Sequence, residues 1–317
     1  AFHRIRPPGV TAGLVRIPFM DVVGKVVPPR RRRAFFAQRM FWGGLVTLGG
    51  SSVISYLLTE PLGLTFPHNV AVFFVLAAIF YALTAWSWIL IKEPPSVVPT
   101  TAQRSGWAQL TTQFQRGFGI LKNNAVYRRY MLVRLMLVIA GWSGPFYVVY
   151  AERELGIGAE LLGLYLALRT IAALLANLVW GRISDERGNR ELIVATAAVG
   201  AAAPLIALLT GWIGRGVGGA APWLSTLFGL VFVATGTFTS GSGVGITNYL
   251  LDVAPAAERP LYLAFTNTLF GLARFTAMLG GLIVDWAGFE VLMVLAVVFY
   301  ALAFAISLTL AEPRHAT

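Results

Sequence analysis

The chain has 317 residues, of which 57% are hydrophobic and only 12% are charged, and this composition excludes an ordinary soluble domain. The formal net charge is +11, but the basic residues lie in short loops between apolar segments, which favours membrane topology over nucleic-acid binding. Cysteine is absent and the three histidines lie outside the apolar segments, so disulfides, thiolate chemistry and a histidine-built metal or haem site are not expected.

Apolar runs of membrane length recur along the chain and predict eight transmembrane helices. A helix needs about 20 residues to cross a hydrocarbon core of about 30 Å. The predicted spans are 37–58, 70–91, 128–150, 160–181, 191–212, 222–250, 260–284 and 289–310. A shorter apolar stretch at 9–27, broken by charges and a proline, is typical of the end of a further helix whose start lies upstream. The predicted class is an all-α polytopic protein embedded in a lipid bilayer.

Residues 92–127 form the largest polar stretch and divide the apolar spans into two groups. Three prolines near its start, Pro94, Pro95 and Pro99, predict an extended linker. The apolar side chains that follow share one helical face and predict an interfacial helix that tethers the two groups: Leu110, Phe114, Phe118 and Leu121.

The distribution of lysine and arginine predicts the orientation of the chain. Arg153 and Arg215 fall in loops assigned to the outside, and Arg169 and Arg274 fall inside spans, whereas nearly all the others lie on or near the opposite face. Because cytoplasmic loops carry the excess of basic residues, both ends of this segment are expected in the cytoplasm.

Two segments of the chain repeat one another. Phe80-Tyr81-Ala82-Leu83 and Phe299-Tyr300-Ala301-Leu302 are each followed, at the same distance, by Glu-Pro. A match in corresponding spans favours an architecture of two pseudo-symmetric helix bundles over coincidence.

The most specific motif stands between the predicted spans 160–181 and 191–212. It has the pattern Gly-x-x-x-Asp-x-x-Gly-x-Arg, and its members are Gly181, Asp185, Arg187, Gly188 and Arg190. The first glycine is expected to let two helix ends approach, the second to allow a tight reversal, and the aspartate to bond helix-end amides or an arginine. The segment resembles the signature loop of the major facilitator superfamily of secondary transporters, in the copy between helices 8 and 9.

This resemblance implies twelve helices in two six-helix halves, each an inverted repeat. Residues 1–91 would then be the remainder of the N-terminal bundle, with the end of helix 4 and helices 5 and 6. Residues 92–127 would be the cytoplasmic central loop, and residues 128–317 would be helices 7–12. Helices 1–3 and most of helix 4 are absent, so we expect the sequence to be a truncated record of a longer protein.

The same resemblance implies a transporter that moves a small solute by alternating access, either coupled to a proton or another ion or facilitative. Asp185 is expected to pair across to a cytoplasmic helix end and to stabilise the outward-facing state, with Arg187 and Arg190 in the same network. The alternative role of the loop is a positive-inside turn that takes no part in gating.

Arg169 and Arg274 are the ionisable residues that the predicted spans place at membrane depth. An arginine there costs about 2.5–3.5 kcal/mol on insertion scales, so a function is expected for it. Either side chain could bind an anionic solute; the alternative is an internal pair or a helix cap. The remaining candidates for solute binding, each with packing or interhelical bonding as its alternative, are Asn177, Asn267, Trp142 and Tyr147.

Glycine and proline suggest where helices bend or pack closely. Gly144-Pro145 is expected to bend the span 128–150. Gly241 and Gly245 are expected to allow close helix packing, since their segment has neither the spacing nor the preceding strand of a nucleotide-binding loop. The acids stand at helix ends, so a coupling carboxylate lies upstream, lies at one of these ends, or does not exist.

Two other functions were weighed against transport. One is a polytopic membrane enzyme that acts on a lipid or sugar, and the other is a non-transporting scaffold or receptor. A membrane enzyme would usually show clustered Asp, His or Lys at one membrane face. Here the acids are scattered and the histidines are isolated, so we expect no enzyme, no catalytic residues, no metal and no cofactor. The Ala-, Gly- and Arg-rich composition suggests a bacterial cytoplasmic membrane, and a monomer is expected.

Overall fold

A computed structural model describes residues 26, 29–59, 65, 67–91, 107–217, 222–255 and 257–312. Helices fill these ranges and no strand occurs within them, so the chain is an all-α polytopic membrane protein. The predicted linker prolines, the stretch 9–25 and the first Glu-Pro pair lie outside the described residues.

The chain divides into two compact units, and the first comprises residues 1–104 with 160–164. Its helices are α1 (Pro29–Leu58) and α2 (His68–Ile89). Their apolar parts, Phe41–Leu58 and His68–Ile89, agree with the first two predicted spans. Most of their side chains are exposed, including the large aromatic rings of Phe74 and Trp86, which suits helices that lie among lipid or other helices.

The second unit comprises residues 105–159 and 165–317 and holds the remaining helices. In chain order they are α3 (Trp107–Asn123), α4 (Ala125–Ala140), α5 (Phe146–Leu155), α6 (Leu162–Glu186), α7 (Asn189–Gly216), α8 (Pro222–Val253), α9 (Arg259–Ala273) and α10 (Met278–Ser307). Short 3-10 segments join α4 to α5 at Gly141–Ser143 and α9 to α10 at Arg274–Ala277.

Seven segments of the described chain are long and apolar enough to cross a membrane, and the last accounts for two predicted spans. That segment, Arg259–Ser307, has 49 residues and would be about 70 Å long as one helix, more than twice a hydrocarbon core. Gly288, with φ of 87°, interrupts α10 in a conformation that favours glycine. The chain reverses there, so 260–284 and 289–310 are separate crossings.

Contacts at the two ends of the unit show how these crossings run. Arg215, at the end of α7, forms an ion pair with Glu290 just after the reversal. Arg190, at the start of α7, donates to the carbonyl oxygen of Leu308 over 2.7 Å. The last crossing is therefore antiparallel to α7. We call the two ends of the unit the Gly188 end and the Gly288 end.

Glycines allow the close packing of α8 against its neighbours, as the sequence analysis predicted. A Cβ on Gly241 would clash with Thr196 and Trp180, and one on Gly245 would crowd Leu192. The indole N–H of Trp180 also donates to the carbonyl oxygen of Thr237 over 2.9 Å. These helices approach too closely for larger side chains, which is the usual role of small residues in membrane bundles.

The predicted interfacial helix corresponds to α3, which packs against the start of α9. The rings of Phe114 and Phe118 meet Phe265 edge to face, with centroids 5.9 and 5.2 Å apart. Gly117 faces the same ring, and a Cβ there would clash with it. The apolar face of α3 thus attaches this helix to the second unit.

Candidate functional site

The signature segment has a shorter loop than the sequence analysis predicted. Helix α6 continues to Glu186, and the Arg187 N–H still donates to the carbonyl oxygen of Ile183 over 2.9 Å. The reversal is confined to Arg187 and Gly188, whose φ of 91° requires the freedom of glycine. The predicted loop at 181–190 is therefore wrong in extent, because apolar and buried residues within the motif continue the helical pattern.

The close approach expected of the first glycine occurs at the second one instead. Gly181 faces open space, with no atom within 4 Å of a Cβ placed there. At Gly188, an added Cβ would meet the carboxylate of Glu312, from the end of the chain. We expected Gly181 to let two helix ends approach. Among the described residues, a larger side chain would fit at this position, so that expectation is wrong.

Asparagine, not aspartate, makes the buried cross-link at this end of the unit. The amide of Asn189, which has 0% exposure, accepts from the Ser184 hydroxyl over 2.7 Å and donates to the Asp252 carboxylate over 2.6 Å. Asp185 is exposed and has no hydrogen bond or ion pair among the described residues. Ser184, Asn189 and Asp252 thus link α6, α7 and α8 among the described residues, and the pairing expected of Asp185 stays a prediction.

Glu312 caps the start of α7. Its carboxylate accepts from the backbone N–H of Arg190 over 3.0 Å, where the positive end of the helix dipole favours an acid. The Arg190 side chain forms an ion pair with Glu191 and donates to Leu308, whereas Arg187 is exposed. We call Ser184, Asn189, Arg190, Asp252 and Glu312 the Gly188-end network.

At membrane depth, α6 and α8 bring polar groups together. The backbone carbonyl of Arg169 lies directly against Gly236, while the Arg169 side chain is exposed. Two turns further along α6, the Asn177 amide oxygen accepts from the Ser240 hydroxyl over 2.6 Å. Asn177 thus makes an interhelical bond, which is the alternative to solute binding given for it above. Arg169, two turns earlier, remains accessible.

Helices α4 and α9 are both interrupted at the same level. The 3-10 segment Gly141–Ser143 and the turn at Gly144–Pro145 separate α4 from α5, and the bend expected there stays a prediction. The indole N–H of Trp142 donates over 3.1 Å to the hydroxyl of Thr276, which lies in the 3-10 segment Arg274–Ala277. Trp142 therefore joins the two interruptions, and its ring is only half-buried.

The other predicted solute-binding residues divide into accessible and buried ones. Asn267 and Arg274 are exposed along α9. Tyr147 is only 3% exposed, and its hydroxyl is paired with that of Ser143 at 2.9 Å. In this structure Tyr147 is therefore a core residue of the second unit.

The sequence analysis missed Arg134. Its guanidinium carbon lies 4.5 Å from the centroid of the Phe270 ring, between α4 and α9. Position 134 falls inside the predicted span 128–150, so its depth could have been recognised, but we counted it with the basic residues of the cytoplasmic face.

The cations at membrane depth have no acidic partner in the part of the chain that the structure describes. There, the ion pairs at 4.0 Å or less join Arg190 to Glu191 and Arg215 to Glu290, both near helix ends. Neither involves Arg134, Arg169 or Arg274. The arrangement can therefore attract an anion from outside the chain.

Comparison with known proteins agrees with this architecture. A family profile described as Major Facilitator Superfamily matches residues 135–317. Proteins named as uncharacterized in Mycobacterium bovis and Mycobacterium tuberculosis are 23% identical over 261 residues, which is 82% of this chain and 48% of theirs. The chain thus spans about half the length of the curated relatives it matches.

Proposed function

Because the chain belongs to the major facilitator superfamily, whose members are membrane transporters, we propose that the full-length protein moves a small solute across a membrane by alternating access. The match over residues 135–317 carries this proposal. The interrupted helices α4–α5 and α9–α10 support it, since such interruptions allow membrane helices to bend during gating.

The solute that we propose is an anion, with Arg169 and Arg274 among its ligands. Both side chains are exposed at membrane depth, and neither has an ion-pair partner among the described acids. A guanidinium group in this setting binds a carboxylate or phosphate through paired hydrogen bonds. Asn267 is exposed one to two turns before Arg274 and would add a neutral hydrogen-bonding group.

The basic residues support an orientation with the Gly188 end in the cytoplasm of a bacterium. In this assignment residues 1–91 belong to the N-terminal bundle, 92–127 to the central loop and 128–317 to helices 7–12. Asp185 and Arg187, both exposed beside the Gly188-end network, would form the gate latch with residues outside those described.

Uptake of labelled solutes into proteoliposomes that contain the full-length protein tests these proposals. We expect an anion to accumulate, with Arg169→Ala and Arg274→Ala each lowering its uptake by about tenfold or more, the loss of a charged hydrogen bond. Arg153→Ala is the matched control, since Arg153 is exposed in the last turn of α5, near a helix end. Imposed proton and sodium gradients would distinguish ion-coupled from facilitative movement.

Each outcome bears on a separate part of the proposal. Uptake restricted to neutral or cationic solutes, unchanged in the two arginine variants, would refute the anion site and leave transport standing. No uptake of any solute across a broad panel would refute transport itself. An Asp185→Asn variant with normal uptake would remove the gate latch.

A further inference from the structure

Arg134 lies over the ring of Phe270 at membrane depth in the second unit, and Arg274 follows that ring by four residues along the chain. We propose that Arg134 and Arg274 together bind an organic dianion, and that Phe270 positions the Arg134 guanidinium for it. This inference rests on the proposed transport of an anion and specifies the charge and arrangement of that anion.

The side chain of Arg134 is held in place by two neighbours. Its guanidinium carbon is 4.5 Å from the centroid of the Phe270 ring, a distance at which the ring face attracts a cation. It also interacts electrostatically with the Tyr130 hydroxyl, which donates to the carbonyl oxygen of Ile246 over 3.0 Å. The guanidinium is only half-buried, so donors remain available for a ligand.

The second arginine begins the 3-10 segment that follows α9, one turn beyond the ring towards the Gly288 end. Four residues separate Phe270 from Arg274, a rise of about 6 Å along the helix. The bond between Trp142 and Thr276 fixes α4 beside α9 just beyond this level. The two guanidinium groups therefore belong to one stretch of the contact between α4 and α9.

The charge of this stretch selects the class of ligand. Two cations lie there, and no acid of the described residues forms an ion pair with either of them. The acids of α4, α5, α9 and α10 stand near helix ends, at Glu152, Glu154, Glu258, Asp285 and Glu290. Two negative charges on one small solute would neutralise both arginines, whereas a single negative charge would leave one uncompensated.

There is also room for a ligand beside the ring. Gly271 follows Phe270 directly and has no atom within 4 Å of a Cβ placed on it. Asn267 is exposed one turn before this position. Together with Arg274 they form an open, polar strip along α9 that begins one turn before Phe270.

The test measures charge preference in the purified full-length protein. The probes are linear dicarboxylates from malonate to adipate, glycerol phosphate, and monocarboxylates of matching length, each assayed by the shift that it causes in thermal unfolding. We expect at least one dianion to bind more tightly than its matched monoanion. In Arg134→Gln the affinity for that dianion should fall about tenfold to a hundredfold, with a smaller change for the monoanion.

Variants separate this role from a structural one. Arg134→Lys keeps the charge and should retain the preference for the dianion, and Phe270→Leu should weaken it while the protein stays folded. Arg128→Gln is the control, because Arg128 is exposed and donates to the Lys122 carbonyl oxygen outside this stretch.

The proposal is overturned if no dianion binds the wild type, or if Arg134→Gln leaves the ratio of dianion to monoanion affinity unchanged. Transport of neutral solutes without dianion binding would remove this site and keep the proposed function. Dianion binding without transport would keep this site and refute the proposed transport.

Discussion

The Gly188-end network and the arginines at membrane depth lie in the same unit, but their charges are compensated differently. In the network, Asp252 accepts from Asn189, and Glu312 accepts from the first turn of α7. At membrane depth, three arginines have an aromatic ring, a glycine or open space beside them and no acid from the described residues.

The difference indicates two kinds of task. Polar groups that bond to one another, as in the network, hold helix ends together, although Oε1 of Glu312 is buried without a hydrogen-bond partner among the described residues. Cations that lack a counter-ion at membrane depth are costly, and a bound anion would relieve that cost. Substitutions in each region test this contrast.

The largest effect should come from supplying an internal acid at membrane depth. Gly271→Asp places a carboxylate three residues before Arg274 and next to Phe270, in a position that is open. We expect anion uptake to fall by about a hundredfold. The new carboxylate would bind the arginines in place of the solute, and such a charged hydrogen bond contributes about 2–3 kcal/mol. Proteoliposome uptake measures this, with Gly271→Asn as the control of equal size; equal losses in both variants would show that bulk alone is responsible.

The next effect should come from breaking the network at its centre. Asn189→Ala leaves the buried Ser184 hydroxyl and the Asp252 carboxylate without this partner, at a cost of about 1–3 kcal/mol. We expect a lower thermal unfolding midpoint in detergent. The charge preference at membrane depth should stay unchanged, and a variant that unfolds like wild type would show that the cross-link contributes nothing to stability.

The smallest effect should come from neutralising the cap of α7. Glu312→Gln keeps an acceptor for the Arg190 N–H but removes the charge that the helix dipole favours, a loss of about 0.3–1 kcal/mol. Glu258→Gln is a matched control, since Glu258 stands at the start of α9 but makes no capping bond with its side chain. If the two variants shift the unfolding midpoint equally, the cap has no specific role.

Much of the fold could be predicted, because a membrane imposes its length on every crossing. The predicted spans agree with the helices of both units, and the helix Trp107–Asn123 was predicted from its apolar face alone. The reversal between the last two spans was also predicted. In the structure Gly288 is the residue with non-helical backbone angles between the two helical stretches of α10.

Much less of the site could be predicted, because side-chain partners depend on which helices become neighbours. The motif drew attention to Asp185, whereas the buried bonds go to Asn189 and Asp252. Tyr147 was predicted as a solute-binding residue, but its side chain is enclosed in the core of the second unit. Arg134 was overlooked because its significance lies in a ring that is distant in sequence.

The membrane environment, the approximate bounds of the described crossings and the place of the tight reversals could all be predicted from the sequence. These follow from hydrophobic length and from the conformational freedom of glycine, which are properties of local segments. Only the tertiary structure decided which polar groups satisfy one another and which arginines lack an acid among the described residues. That outcome depends on distances between helices, and residues far apart along the chain set those distances together.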